Sequence, residues 1–212
     1  MPASKFPART LILVGVFGIV AALSGALLAQ RFWRGESAPA LTTGTLLQPP
    51  RPLPDFALVN HDGHVFTSQN LQGHWSVLFF GFTNCPDICP TTLTLLAGVN
   101  KALANVPVGQ RPRMVFVSAD AQRDKPEHIK TYVQFFDRDF VGVTGTQPAL
   151  EAFALSLGAP IALRELADGN YTVDHSGTLF VTDPQGALRA IFSGPHQIEA
   201  LVPDLRALLG VR

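Results

Sequence analysis

The chain has 212 residues, 47% of them hydrophobic, enough for one well-buried domain once any targeting segment is set aside. Sixteen Lys plus Arg balance sixteen Asp plus Glu, so the sequence carries neither the basic field that attracts nucleic acid nor an acidic tail.

Thr10 to Ala29 is a run without a charge, flanked by Lys5 and Arg9 before it and Arg31 and Arg34 after it. It is long enough to span a bilayer. We read residues 1–9 as a short tail and 10–30 as a transmembrane anchor. A cleaved secretory signal is the rival reading, but Ala26-Leu27-Leu28-Ala29-Gln30 makes a poor cleavage site. With a short N-terminal tail and a long C-terminal domain, the expected topology is a single pass through an inner membrane with the domain in the periplasm. The mitochondrial inner membrane, facing the intermembrane space, is the alternative; no long Arg- and Ser-rich presequence precedes the anchor. Gly35 to Pro54 then carries five prolines, which predicts an extended tether over residues 31–52 reaching on the order of 60 Å.

The domain is expected over residues 53–212. Phe56 to Val59 and His64 to Phe66 flank Asp62-Gly63, a hairpin signal. Trp75 to Phe82 and Arg113 to Ser118 are short apolar runs suited to central strands covered on both faces. Leu93, Leu96, Val99 and Leu103 mark one helix, with Pro90 in its first turn. Asp124 with Glu127 predicts a capping box for a second, whose Ile129, Tyr132, Val133 and Phe136 follow at helical spacing. Leu150, Phe153, Ala154 and Leu157 mark a third. Leu179 to Thr182 and Ala187 to Phe192 flank Asp183-Pro184-Gln185-Gly186 and read as paired antiparallel strands. Ile198, Leu201, Val202, Leu205 and Leu208 predict a last helix, kinked or started late by Pro203. The order βαβα then ββα predicts an α/β, thioredoxin-like fold: a central mixed sheet flanked by helices.

The two cysteines, Cys85 and Cys89, fall at a predicted strand-to-helix junction, where functional sites of such sheets gather. The helix N-terminus lowers thiol pKa values, so the pair is expected to be reactive. It could cycle between dithiol and disulfide, or hold a thiophilic ion such as Cu(I); a structural disulfide or two buried thiols are the bland alternatives. Two thiolates leave Cu(I) short of a donor. Of six histidines, His175 is the best candidate, placed just before the strand beginning at Leu179; His61, His64, His74, His128 and His196 read as turn, surface or supporting residues. Met1 is terminal and Met114 lies in a core strand, so no thioether is at hand. Asp87, Asp120, Asp124 and Asp174 lie in or near these loops, where they could tune the thiolates or orient His175; equally, Asp124 could be a helix cap and Asp174 an exposed turn residue. Hydrolase and phosphate-loop motifs are missing from the sequence.

Gly81-Phe82-Thr83 to Cys89-Pro90, Ser118-Ala119-Asp120, Arg123 to Glu127, Val143-Thr144-Gly145 and Val173-Asp174-His175-Ser176 occur in the order of, and together resemble, the Sco/SenC family of membrane-anchored copper proteins. The resemblance covers roughly Leu53 to Gly210. It departs at Ala119-Asp120-Ala121, where the family often has Val-Asp-Pro, and at Asp124-Lys125-Pro126, where it often has Asp-Thr-Pro. The resemblance implies a thioredoxin-like fold, Cys85, Cys89 and His175 as ligands of one copper ion, Cu(I) or Cu(II), per monomer, and a role in cytochrome c oxidase assembly. The function expected is a metallochaperone that passes copper to the dinuclear centre of oxidase subunit II. It would draw on a copper donor or a thiol reductant. The alternatives are a thiol-disulfide oxidoreductase using Cys85 and Cys89 to reduce the oxidase's cysteines, and a thiol-based redox sensor or peroxide reductase.

Overall fold

A computed structural model of the chain describes residues 17–26, 39–167 and 169–211. Residues 17–26 are helical. The rest of the expected anchor lies outside the described residues, and among the described residues no helix is long and apolar enough to cross a membrane.

From Pro39 onward the chain forms a separate unit. Its strands are β1 (Thr45–Arg51), β2 (Ala57–Asn60), β3 (Val65–Thr67), β4 (Ser76–Gly81), β5 (Arg113–Ser118), β6 (Val141–Thr144), β7 (Ala162–Glu165), β8 (Tyr171–Asp174), β9 (Leu179–Thr182) and β10 (Leu188–Phe192). Its α-helices are α1 (Ile88–Ala102), α2 (Pro126–Phe136), α3 (Gln147–Leu157) and α4 (Ile198–Leu209). Among the described residues, eight strands make one sheet in the order β1-β10-β9-β4-β5-β6-β2-β3, while β7 and β8 pair only with each other.

Strand β4 is buried at every position, as its unbroken apolar run predicts. Because successive side chains point to opposite faces, Val77 and Phe79 enter one core with Leu93, Leu96 and Val99 of α1, Ile129 and Val133 of α2, and Leu201 and Leu205 of α4. Leu78 and Phe80 enter the other, with Leu150, Phe153, Ala154 and Leu157 of α3. Strand β4 runs parallel to β5 and antiparallel to β9, and β5 runs parallel to β6. This is the mixed, doubly covered sheet of the thioredoxin-like fold.

The expected hairpin is β2–β3, with Ala57 opposite Thr67 and Gly63 in its turn at φ 82°, a conformation that favours glycine.

Three expectations differ from what is observed. Thr45–Arg51, read as tether, is instead an edge strand paired antiparallel to β10. Its position explains the prolines: an edge strand has one row of backbone donors that need no partner, so Pro is tolerated there. The start of β1 is also fixed from below, since Asp204 of α4 accepts the Thr42, Thr43 and Gly44 amides at 2.7, 2.8 and 3.2 Å. The capping box at α2 does not form: the N-cap is Lys125, without a side-chain cap bond, because Asp124 turns inward. Finally, α4 begins at Ile198 and includes Pro203, so the late start does not occur.

Candidate metal centre

The motif loop leaves β4 at Gly81 and enters α1 at Ile88, so the main sheet and the α1 core fix both of its ends. Gly81 has a steric role: a Cβ there would lie 2.7 Å from Cys89 Sγ and 2.8 Å from the Phe116 ring. The sulfur occupies the room that a side chain on β4 would take. Cys89 is fully buried, in the first turn of α1, and Cys85 is partly exposed above it; both are free thiols.

The Cys89 amide donates to Cys85 Sγ at 3.4 Å. The Cys85 thiol is held down to about 4, first by a hydrogen bond from the Cys89 thiol, against burial, and further by the Asp87 and Cys89 amides. The same hydrogen bond and burial push Cys89 strongly upward. One proton therefore sits on the buried sulfur while the accessible one is a thiolate, as amides at a helix N-terminus favour.

His175 comes from the other side, just beyond β8. Its Nε2 lies 3.5 Å from Cys89 Sγ, and Nδ1 lies 3.2 Å from the Ser176 carbonyl oxygen. A carbonyl only accepts, so this contact puts the ring proton on Nδ1 and leaves the Nε2 lone pair facing the sulfurs. The ring packs edge-on against Phe82 and Phe79, with centroids 5.7 and 6.1 Å away. His196 Nε2 lies 2.7 Å from the Gly177 carbonyl oxygen and pins the loop after His175. The donor atoms of Cys85, Cys89 and His175 all lie within 4.8 Å of one another. An ion with metal–sulfur and metal–nitrogen bonds of about 2.3 and 2.0 Å spaces three trigonal donors about 3.7–4.0 Å apart, so these residues lie close enough to hold one. An open cleft lined by Phe82, Pro86, Asp87 and Thr172 exposes Cys85 and His175 to approach.

The four carboxylates have different fates. Asp87 contributes its amide, as above, rather than its carboxylate. Asp174 is exposed and pairs with Arg164 at 3.2 Å, so it does not orient the imidazole. Asp120 is fully buried, paired with Arg123 and accepting the Tyr171 hydroxyl at 2.8 Å. Asp124, also fully buried, accepts the Thr83 hydroxyl at 2.5 Å, the Thr83 amide at 3.1 Å and the Ser118 hydroxyl at 2.7 Å. Burial raises its pKa against those hydrogen bonds. It is a clamp between the end of β5 and the loop two residues before Cys85. Reading the sequence missed this clamp, the space at Gly81 and the part played by Arg123 and Tyr171. Helical periodicity made Asp124 a cap, and no local pattern announces a contact 41 residues away.

The SCO1/SenC family model matches residues 45–210. A Stutzerimonas stutzeri protein named for copper binding is 36% identical over 166 residues, 77% of this chain and 80% of that one. The Arabidopsis thaliana mitochondrial protein SCO1 homolog 1 is 35% identical over 147 residues, 69% of this chain but only 43% of that longer protein. Among solved structures, Arabidopsis thaliana ScoI with copper bound superposes with a TM-score of 0.69 at 30% identity, over 74% of this chain and 97% of that one. With a family model matching residues 45–210 and a relative 36% identical over 77% of this chain, the chain belongs to the SCO1/SenC family.

Proposed function

We propose that this protein is a copper metallochaperone: Cys85 and Cys89 as thiolates and His175 through Nε2 hold one copper ion and hand it on by ligand exchange. The recipient is the dinuclear copper centre of cytochrome c oxidase subunit II, the role implied by the family resemblance. The observation that carries the reading is the convergence of two soft sulfurs and one imidazole at an open cleft. Thiolates favour Cu(I), and the imidazole lets the same set tolerate Cu(II). Metal loading requires both sulfurs to be deprotonated, so the proton on Cys89 leaves as the ion arrives. In this reading residues 10–30 anchor the protein in the membrane and the folded unit works in the periplasm.

Anaerobic titration of the fully reduced protein with Cu(I), against a competing chelator, tests the proposal. One equivalent should bind tightly. His175→Ala should weaken binding and oxidase maturation together while leaving disulfide formation between Cys85 and Cys89 intact. A His175→Ala protein with undiminished copper affinity and normal oxidase maturation at limiting copper overturns it.

The alternative reading, a thiol-disulfide oxidoreductase, draws on the unequal sulfurs. Cys85, accessible and ionised, would attack a partner disulfide. The Cys89 thiol would then lose its proton and resolve the mixed disulfide, releasing the partner as a dithiol and leaving Cys85–Cys89 oxidised. Such exchange does not need His175.

A further inference from the structure

The third donor follows the β7–β8 hairpin, which among the described residues has no hydrogen-bonded strand partner in the main sheet. Every residue of β7 is exposed, and of β8 only Val173 is buried. Something besides strand pairing must therefore hold His175 over the sulfurs.

We propose that Arg123 is a positioning residue for the metal site, locking the hairpin so that His175 meets Cys89; this rests on Cys85, Cys89 and His175 being the copper ligands. The lock is a closed ring of three residues. Arg123 Nε pairs with the buried Asp120 Oδ2, and Arg123 Nη1 donates to the Tyr171 carbonyl at 3.2 Å. The Tyr171 hydroxyl returns to Asp120 Oδ1 at 2.8 Å. The guanidinium also lies 3.9 Å from the Tyr171 ring centroid, so it holds both the backbone and the side chain of that residue. Asp120 is itself immobile, since Oδ1 also accepts the Gln122 and Arg123 amides, each at 3.2 Å.

From Tyr171 the constraint reaches His175 by two routes. In an extended strand, residues two apart share a face, so Tyr171 and Val173 face the domain and direct residue 175 the same way. Independently, the Arg123 guanidinium lies 5.7 Å from the Phe82 ring centroid, and Phe82 meets the imidazole in a T-shaped contact at 5.7 Å. Lysine cannot replace this arrangement: an ammonium is a point charge without the planar fork that serves Asp120 and the Tyr171 carbonyl while stacking on a ring.

The test compares Arg123→Lys, His175→Ala and the double variant with the wild type. Two properties are read: Cu(I) affinity by chelator competition, and imidazole nitrogen hyperfine coupling in the electron paramagnetic resonance spectrum of Cu(II)-loaded protein. Arg123→Lys should weaken Cu(I) by about 10-fold or more, in the range for groups that orient a ligand, and should diminish the nitrogen coupling. In the His175→Ala background the same substitution should cost nothing further, because the residue it positions is gone. Tyr171→Phe, which removes only the hydroxyl, guards against misfolding of the lysine variant and should shift both readouts in the same direction by less.

Equal losses from Arg123→Lys with and without His175 would place its effect on the fold or the thiols and overturn the proposal. Unchanged affinity and spectrum in both Arg123→Lys and Tyr171→Phe would overturn it as well. If His175→Ala alone binds copper as the wild type does, the ligand set itself is wrong and the proposal falls with it; if His175→Ala weakens binding and Arg123→Lys does not, only the positioning role fails.

Discussion

The two halves of the site are built by different physics. The cysteines sit where the central strand β4 turns into α1, between two apolar cores, with Gly81, Phe116 and Asp124 leaving the sulfurs and their loop little freedom. His175 sits beyond a two-stranded hairpin outside the main sheet, held by an ion pair, a stacked ring and one buried valine. A sheet-and-helix core opens only with the global unfolding of the domain, whereas a peripheral hairpin with exposed strands belongs to the low-stability end of a structure. A metal held by these three residues would therefore have two firmly placed donors, the cysteine sulfurs, and one, the His175 imidazole, on a more easily displaced element.

The largest effect is expected at the sulfurs. Cys85→Ser or Cys89→Ser should abolish tight Cu(I) binding, because a hydroxyl is neither soft nor ionised at neutral pH; His175→Ala should only weaken it. Chelator competition on all three distinguishes them, and a cysteine variant that matches His175→Ala would erase the difference between the halves.

Next are the two devices that fix the sulfur loop. Gly81→Ala forces a methyl against Cys89 Sγ and Phe116, and overpacking of this kind costs about 1–3 kcal/mol. Asp124→Ala strands the donors of Thr83 and Ser118 at a cost of about 1–3 kcal/mol. Urea unfolding of the reduced protein measures both. A stability equal to the wild type in either variant would show that the loop is less confined than its packing implies.

The unequal thiols make the stability of the reduced protein depend on pH. Folding lowers the Cys85 pKa from the ordinary 9.0 to about 4. Between those values the unfolded chain binds a proton that the folded one does not, so stability should climb with pH through this window and be lost as pH falls through 4. Folding raises Cys89, so its contribution is complete below 9 and declines above it. Thermal unfolding of the reduced, metal-free protein should thus become more favourable to the fold from pH 4 toward 9, with a shallower climb in Cys85→Ser. At pH 6, iodoacetamide should label Cys85 and spare Cys89 by peptide mass spectrometry; equal labelling would break the assignment.

The smallest effect belongs to the hairpin's outer surface. The Arg164–Asp174 pair is exposed on both sides, and such pairs contribute roughly 0–1 kcal/mol. Arg164→Ala should leave copper affinity unchanged, in contrast to Arg123→Lys on the inner side of the same hairpin.

Local pattern made the cysteine half readable in advance. An unbroken apolar run ending in Gly-Phe-Thr, followed by a helix with Pro90 in its first turn, locates a strand end and a helix start within a few residues, and Cys85 and Cys89 lie in the connecting loop and the first helical turn. The hairpin that carries His175 was not readable in that way. Ala162–Glu165 is exposed at every position and lacks the period-two alternation by which a half-buried strand is recognised. Residues 45–51 misled for the opposite reason: prolines that signal a tether in isolation are equally at home on a sheet edge, and only the presence of β10 beside them decides which.

Burial periodicity and a local CxxxC spacing are properties of consecutive residues, so the central strands, the amphipathic helices and the thiol pair at their junction are legible without tertiary information. Tertiary structure alone decided that the Nε2 atom of His175 meets the Cys89 sulfur 86 positions earlier, that Asp124 is a clamp and not a cap, and that Asp120 serves the hairpin through Arg123 and Tyr171. Each of these depends on which strand ends lie side by side, and that order is set by the packing of two cores around one sheet.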